Sequence, residues 1–409
     1  MFRMINPVQA YAWGSATAFS ELFGWPETGE PQAEVWMGAH PTAPSQLVTE
    51  AAEPVHLDAH LGQHPEDLGT LRSDKTLPFL LKVLAVAVPL SIQSHPTKEQ
   101  AAAGYAAEEA AGVDLTDERR NYVDSNHKPE LLVALTEFSA LSGFRGPEQT
   151  LQDLRALQRI IAAAVPSGSD EMITAVQALI SAVGERDFGV ALEAALRGHR
   201  GALSAAAGFL ASIDPHTADA ELSPVSADTV ERITAAFPTD PGLFVALMLN
   251  RTDLSPGQAL FLPAGTLHAY LGGVGVEAMA TSDNVLRGGL TTKHIDVAEL
   301  LRTAHTEELS ATLLQPEPTA AHRQTYRPDA EEILLHRIEF PAPGLMHRIC
   351  EPAPVVALCT RGALTAGDHS LTAGDSVFVP AREPVEFSGA EAQLFLATAQ
   401  EPQKPMVAG

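Results

Sequence analysis

Two polar side chains lie two residues apart in "LSIQSHPTKEQ" (90–100), just after the apolar run "LPFLLKVLAVAVP" (77–89). In an extended chain residues i and i+2 face the same side. Gln93 and His95 therefore share one face of a segment that should be buried. A buried polar group without a partner costs about 1–3 kcal/mol, so something must satisfy the pair. His268, just past the Pro-x-Gly turn of "LPAGTLH", and Glu130, which follows "NHKP" and opens an apolar run, are of the same chemical kind. Histidine and carboxylate are ligands of zinc and the other first-row divalent ions, and an amide oxygen is a weaker, harder donor. Such a set suits a Lewis-acid centre with open positions better than a closed structural site of cysteines. Spacing alone does not bring these four residues together. Any one of the 15 histidines, taken singly, is more often at the surface or hydrogen-bonded in a core.

Elements must carry these residues to one place. From residue 1 to about 145, short β-type segments such as "SQLVT" and "PFLLKVLAV" alternate with turns. A proline followed by an alanine-rich run predicts a helix over 96–111. "PELLVALTEF" (129–138) reads as a buried strand, although its periodicity also permits a helix. From 147 to 237 the spacing and composition are helical, interrupted by the breaker clusters "PSGSD" and "DPHTADAELSP". β-character returns with "GLFVALMLN" and "GQALFLPAGTLHAYL", and a basic, glycine-rich stretch follows. A proline-rich segment near 315–330 reads as a linker. Beyond it, short apolar strands with frequent turns have the pattern of a β-sandwich or jelly roll. "GQALFLPAGTLHAY" (257–270) and "GDSVFVPAREPVEF" (374–387) share Gly-x5-Pro. In the second copy Arg382 stands at the place of Gly265 and Val385 at that of His268.

Over 409 residues, 45% hydrophobic and 19% charged, two or three domains are expected. A net charge of −25 argues against nucleic acid and anionic membranes as partners. It leaves room for a small anion held by a few local cations, because exposed charges are screened beyond about 8 Å. No apolar stretch is long enough for a membrane span, and "MFRMINPVQAYAWGS" lacks the pattern of a secretory signal. Two cysteines, Cys350 and Cys359, suit a reducing cytoplasm, the expected location.

"YAWGS", "EVWMGAHP", "SIQSHPTK", "NHKPELLVAL" and "LFLPAGTLHAYLGGVGVEAMATSDNVLRGGLTTKH" occur in this order. Together they resemble the motif set of class I phosphomannose isomerases, over most of the first 145 residues and 240–300. The resemblance implies a cupin architecture, mainly β with α. It has a metal-bearing jelly-roll barrel, an inserted all-helical domain and a second, metal-free jelly-roll barrel. The expected units are 1–146 with 238–314, 147–237, and 315–409. The general cupin pattern is met from Gly257 to His268 but ends on Gly272 in place of asparagine. By resemblance the ligands of one divalent metal, zinc foremost, fall on Gln93, His95, Glu130 and His268. A monomer acting on a sugar phosphate is implied, interconverting mannose 6-phosphate and fructose 6-phosphate through an enediol-type intermediate.

Such a reaction needs a proton carrier and a phosphate grip. Lys82 stands in a hydrophobic strand, where desolvation lowers an ammonium pKa toward neutrality; a lysine snorkelling from a strand end is the alternative. In the family this lysine is a proposed proton carrier. Glu277 is the second candidate base, or else binds a sugar hydroxyl, and His127 is a candidate for ring opening. Arg287, important in the family for catalysis and phosphate contact, and Lys293 lie in "NVLRGGLTTKH", where two glycines allow close approach of the backbone. Ser91, Lys98, Lys128 and Tyr270 are candidate pocket residues, and Asp283 a candidate to orient Arg287. A metal-dependent oxygenase and a non-catalytic sugar-binding protein are the competing readings. The basic loop speaks against the first, and turnover distinguishes the second.

Overall fold

The strand Phe79–Val86 is buried at every position, as a run of apolar residues flanked on both edges by other strands must be. Its neighbours are Glu34–Met37 and His268–Ala280, both antiparallel. The 13-residue strand His268–Ala280 is the spine of this first sheet. Its C-terminal part pairs with Phe79–Val86 and Glu130–Ala134, and its N-terminal part with Phe138–Phe144 and Ile92–Ser94. Leu286–Gly289 then pairs with Ile92–Ser94. The computed structural model describes residues 1–49, 53–164, 170–216 and 222–401.

A second sheet runs from Glu317–Ala320 through Arg323–Tyr326, Leu334–Phe340, Val385–Thr398, Val355–Ala366 and Ser376–Val379 to the N-terminal strands Phe2–Ile5, Gln46–Val48 and Val55–His56. The two sheets share a core. Val35, Leu81, Val83, Leu131, Val133, Phe261 and Val276 of the first belong to one buried cluster with Tyr326, Leu335, Val356, Leu358, Phe378 and Phe395 of the second. Each such side chain contributes about 1.5–3 kcal/mol on burial. Because side chains alternate along a strand, committing Leu81 and Val83 to this core turns Lys82 and Leu84 to the opposite face.

The helices Pro147–Ala164, Asp170–Gly184, Arg200–Leu210 and Pro224–Ala236 carry much of the chain between the two halves of the first sheet. Their core is continuous with that sheet, since Leu157, Leu179 and Leu203 join one cluster with Ile92, Leu141 and Leu267. Residues 166–169 of the first breaker cluster, 217–221 of the second, and 402–409 lie outside the described residues.

Three expectations need correction. The sheets are not closed into jelly-roll barrels. Each is a branched open path, from Thr312–Leu314 to Val8–Gln9 and from Glu317–Ala320 to Val55–His56, and among the described residues these end strands take no further partner. The fold is mixed α/β with two large antiparallel sheets, and the three N-terminal strands lengthen the second sheet instead of closing the first. The proline-rich segment read as a linker is a hairpin, Glu317–Ala320 with Arg323–Tyr326. Its outer strand is an exposed sheet edge, where Pro318 is tolerated. "GLFVALMLN" begins as a helical turn, Gly242–Ala246, before the strand Leu249–Leu254. The Asp240 carboxylate accepts from the Gly242 N–H at 2.7 Å and opens that turn.

Candidate metal centre and its pocket

Strand register brings the distant residues together. His268 lies opposite Gln93, Gln93 opposite Arg287, and Glu277 opposite Lys82. Glu130 opens a strand that pairs with the same spine. Ligand atoms of His95, Glu130 and His268 lie within 4.8 Å of one another, and all three residues are buried. His95 Nε2 is 3.3 Å from Glu130 Oε1, and His268 Nε2 is 3.3 Å from Oε2.

The orientation of these rings is fixed from behind. His95 Nδ1 is 2.7 Å from the Asn284 carbonyl oxygen and His268 Nδ1 is 2.9 Å from that of Thr266. A carbonyl oxygen only accepts, so each Nδ1 donates, and each Nε2 is left turned toward Glu130. Burial, then Lys128, lowers His95 to about 4, which keeps it neutral. Burial alone would raise the Glu130 carboxyl, but its neighbours, foremost the Lys128 ammonium 3.2 Å from Oε1, outweigh burial and hold it well below the usual range. His95 Nε2, His268 Nε2 and Glu130 Oε2 are buried without any hydrogen-bond partner. Buried polar atoms gathered without partners are costly unless a cation lies among them, so the donor set fits a divalent ion.

A pocket of about 570 Å³ opens beside this triad. Its lining includes Lys82, Ser91, Gln93, Lys128, Glu130, Tyr270, Glu277, Arg287 and Lys293, with Phe237 contributed from the end of the helical segment. A larger cavity of about 610 Å³, lined by Phe2, His60, Asp67 and Arg382, holds none of the predicted site residues.

Charge inside the pocket is strongly organised. Lys82 Nζ lies 3.4 Å from Glu34 Oε2, 4.0 Å from Glu277 Oε2 and 4.7 Å from the Trp36 ring centre. Desolvation is the largest single influence on Lys82 and lowers its pKa, yet Glu34, Glu277 and Glu130 together reverse the sign and raise it. The lowered value expected from the sequence is therefore not met, because burial was weighed without the carboxylates. Glu277 moves the other way: burial, reinforced by Glu130 and opposed by Lys82, raises it to about 8. Tyr270 Oη donates to Glu277 Oε1 at 2.9 Å. Arg287 and Lys293 have no carboxylate within 4 Å among the described residues, and partial burial lowers the Arg287 pKa.

Other predicted residues lie elsewhere. His127 Nε2 is 2.8 Å from Glu332 Oε1, and Lys98 Nζ is 3.6 Å from the same oxygen, so both meet the turn before the strand Leu334–Phe340. The Asp283 carboxylate is 3.4 Å from His40 Nε2 and makes no bond to Arg287 among the described residues. Sequence reasoning missed Glu34 and Trp36. Trp36 Nε1 donates to the Glu34 carboxylate, and the signal was a charged residue inside the strand "EVWM" (34–37), the same signal that singled out Lys82. The carbonyls behind His95 and His268 carry no side-chain signal at all.

Residues 1–147 match the family model for the phosphomannose isomerase type I catalytic domain. The chain is 37% identical to mannose-6-phosphate isomerase of Salmonella typhimurium over 95% of its own length and 97% of that protein. It is 35% identical to the Escherichia coli enzyme over the same shares. The crystal structure of the Salmonella enzyme bound to fructose 6-phosphate and zinc superposes with a TM-score of 0.83 at 32% identity, covering 98% of this chain and 100% of that one.

Proposed function

The chain belongs to the type I phosphomannose isomerases, and on that premise we propose how its side chains divide the reaction. It is a metal-dependent isomerase that interconverts mannose 6-phosphate and fructose 6-phosphate, with a single divalent ion, zinc, as cofactor. Gln93, His95, Glu130 and His268 hold that ion. The carrying observation is the set of three buried, unpartnered donor atoms of His95, Glu130 and His268, beside a pocket lined by Arg287 and Lys293, which meet no carboxylate within 4 Å among the described residues. When bound, the ion supplies Lewis-acid stabilisation of negative charge developing on the substrate oxygens.

The reaction moves a proton between C2 and C1 of the opened sugar. Glu277 is the carrier: as a carboxylate it takes the C2 proton of the aldose, and as the acid it returns that proton to C1. A carboxyl raised to about 8 exists in both forms near neutral pH. Tyr270 orients it by holding Oε1. Lys82, kept cationic by Glu34 and Glu277, stabilises the anionic intermediate instead of shuttling the proton. Arg287 and Lys293 grip the phosphate, and Ser91 and Lys128 face the sugar hydroxyls. His127, and Lys98 at the start of the helix Lys98–Ala110, reach Glu332 in the turn before the strand Leu334–Phe340, and Asp283 pairs with His40.

We take the working units to be 1–146 with 238–314, 147–237 and 315–409, in a cytoplasmic monomer with no nucleic-acid partner. No helix among the described residues is long and apolar enough to cross a membrane. A coupled assay of fructose 6-phosphate formation from mannose 6-phosphate, with and without chelator, tests the reading. Turnover that chelation abolishes and zinc restores is expected. Binding without turnover would leave only a sugar-binding protein.

A further inference from the structure

The basic loop is clamped from outside the sheet. Gly289 has φ +129° and Leu290 φ +54°, a left-handed conformation that a leucine rarely adopts. Leu290 is buried and lines the pocket, so the conformation sets where Arg287 and Lys293 stand. The clamp is Asp240, in the turn that leaves the helical segment. Its Oδ2 accepts from the Thr291 N–H at 3.0 Å, while Oδ1 accepts from the Gly242 N–H at 2.7 Å. Thr291 Oγ1 in turn accepts from the Lys293 N–H at 3.1 Å. The two backbones touch: a Cβ added at Gly289 would lie 2.6 Å from the Gly242 Cα, and one at Gly242 2.7 Å from the Leu290 nitrogen. Phe237, three residues before Asp240, lines the same end of the pocket.

We propose that Asp240 is a positioning residue for the phosphate end of the site: its carboxylate joins the exit of the helical segment to the 287–293 loop and holds Leu290 left-handed, so that both cations face the pocket. The inference rests on the reading of that loop as the phosphate grip. A single left-handed non-glycine residue is strained and persists only where its surroundings hold it. The hydrogen bond from the Thr291 N–H to the Asp240 carboxylate supplies such a hold.

The test is steady-state kinetics with inorganic phosphate as competitive inhibitor, on zinc-loaded full-length wild type, Asp240→Ala, Asp240→Asn and Arg287→Ala. Asp240→Ala is expected to raise the KM for mannose 6-phosphate and the phosphate inhibition constant together, roughly tenfold. Its kcat should change much less and its metal content not at all. Asp240→Asn, which keeps one acceptor oxygen, should show a smaller rise in both constants, and it carries the test if the alanine variant does not fold. A loss of thermal stability with an unchanged phosphate constant in both Asp240 variants would overturn the positioning role. If phosphate inhibits Arg287→Ala as it does wild type, the assignment of the loop itself fails. If Arg287→Ala is weakened and the Asp240 variants are not, only the clamp fails.

Discussion

Two stretches of this chain have nearly the same backbone and opposite contents. Gly257 and Gly374 have φ +87° and +90°, and eight residues on, Gly265 and Arg382 have +80° and +63°. Ala259–Leu262 corresponds to Ser376–Val379, and the long strand His268–Ala280 to Val385–Thr398. In the first sheet Lys82, Glu130 and Glu277 line a pocket, and His95 and His268 are buried beside Glu130. In the second, Val385 stands at the place of His268 and packs with Val355, Ala357, Val377, Phe387 and Leu394 in a hydrophobic cluster. The scaffold tolerates either filling. Hydrocarbon packs around the Val385 position of the second copy, while around His268 the first copy gathers the unpartnered buried atoms His95 Nε2, Glu130 Oε2 and His268 Nε2, a set that fits a cation. Chemistry here resides in side chains placed on a common frame.

Converting one copy toward the other should expose this difference most strongly at His268. His268→Val installs the residue of the silent copy. Losing a metal-centred stabilisation worth several kcal/mol predicts a fall in turnover of about a thousandfold or more. Metal-free protein should change little in stability, because removal of the unpartnered Nε2 is offset by loss of the Nδ1 hydrogen bond to the Thr266 carbonyl. Turnover and thermal unfolding of metal-free samples check both halves.

Lys82→Ala comes next. It strands Glu34 and Glu277 as buried carboxylates without their cation, at a cost of about 3–5 kcal/mol. Val377→Ala in the silent copy should cost about 1–3 kcal/mol by cavity formation and leave turnover intact. Denaturant unfolding measures both. Equal costs would erase the distinction between an electrostatic and a packed interior.

The pH dependence follows from Glu277. A base acts as its carboxylate, and a folded pKa raised to about 8 means that this form is lost as pH falls through that value. kcat/KM should therefore rise with pH along a limb near or below 8, displaced downward where bound metal neutralises Glu130. Glu277→Gln should remove the limb together with most of the activity. A limb unchanged in Glu277→Gln would return the proton-carrier role to Lys82.

The smallest effect is expected at Arg382. Arg382→Gly restores the glycine of the first copy at a left-handed position and should stabilise the chain by about 0.5–1 kcal/mol, read as a small rise in Tm with no change in activity.

Much of this contrast was legible in the sequence, in particular places. The shared Gly-x5-Pro and the replacement of His268 by Val385 mark one copy as reactive and the other as filled. Polar residues inside apolar strands pointed to Gln93, His95 and Lys82, and the same signal in "EVWM" would have found Glu34. What stayed hidden depends on pairing between distant strands. Cross-strand register decides that Lys82 meets Glu277 and that Gln93 lies between His268 and Arg287. The sign of the Lys82 shift followed from those neighbours. Barrel closure was hidden for the same reason: strand composition does not say that Phe2–Ile5 pairs with Ser376–Val379.

The most direct measurement is metal per chain and isomerase turnover on the same purified samples of wild type and His268→Val. One divalent ion per wild-type chain is expected, with turnover that falls in step as a chelator removes it, and neither ion nor turnover in the variant. A variant that keeps a full complement of metal, or a chelated wild type that isomerises at its original rate, would contradict a metal-centred site built on His268.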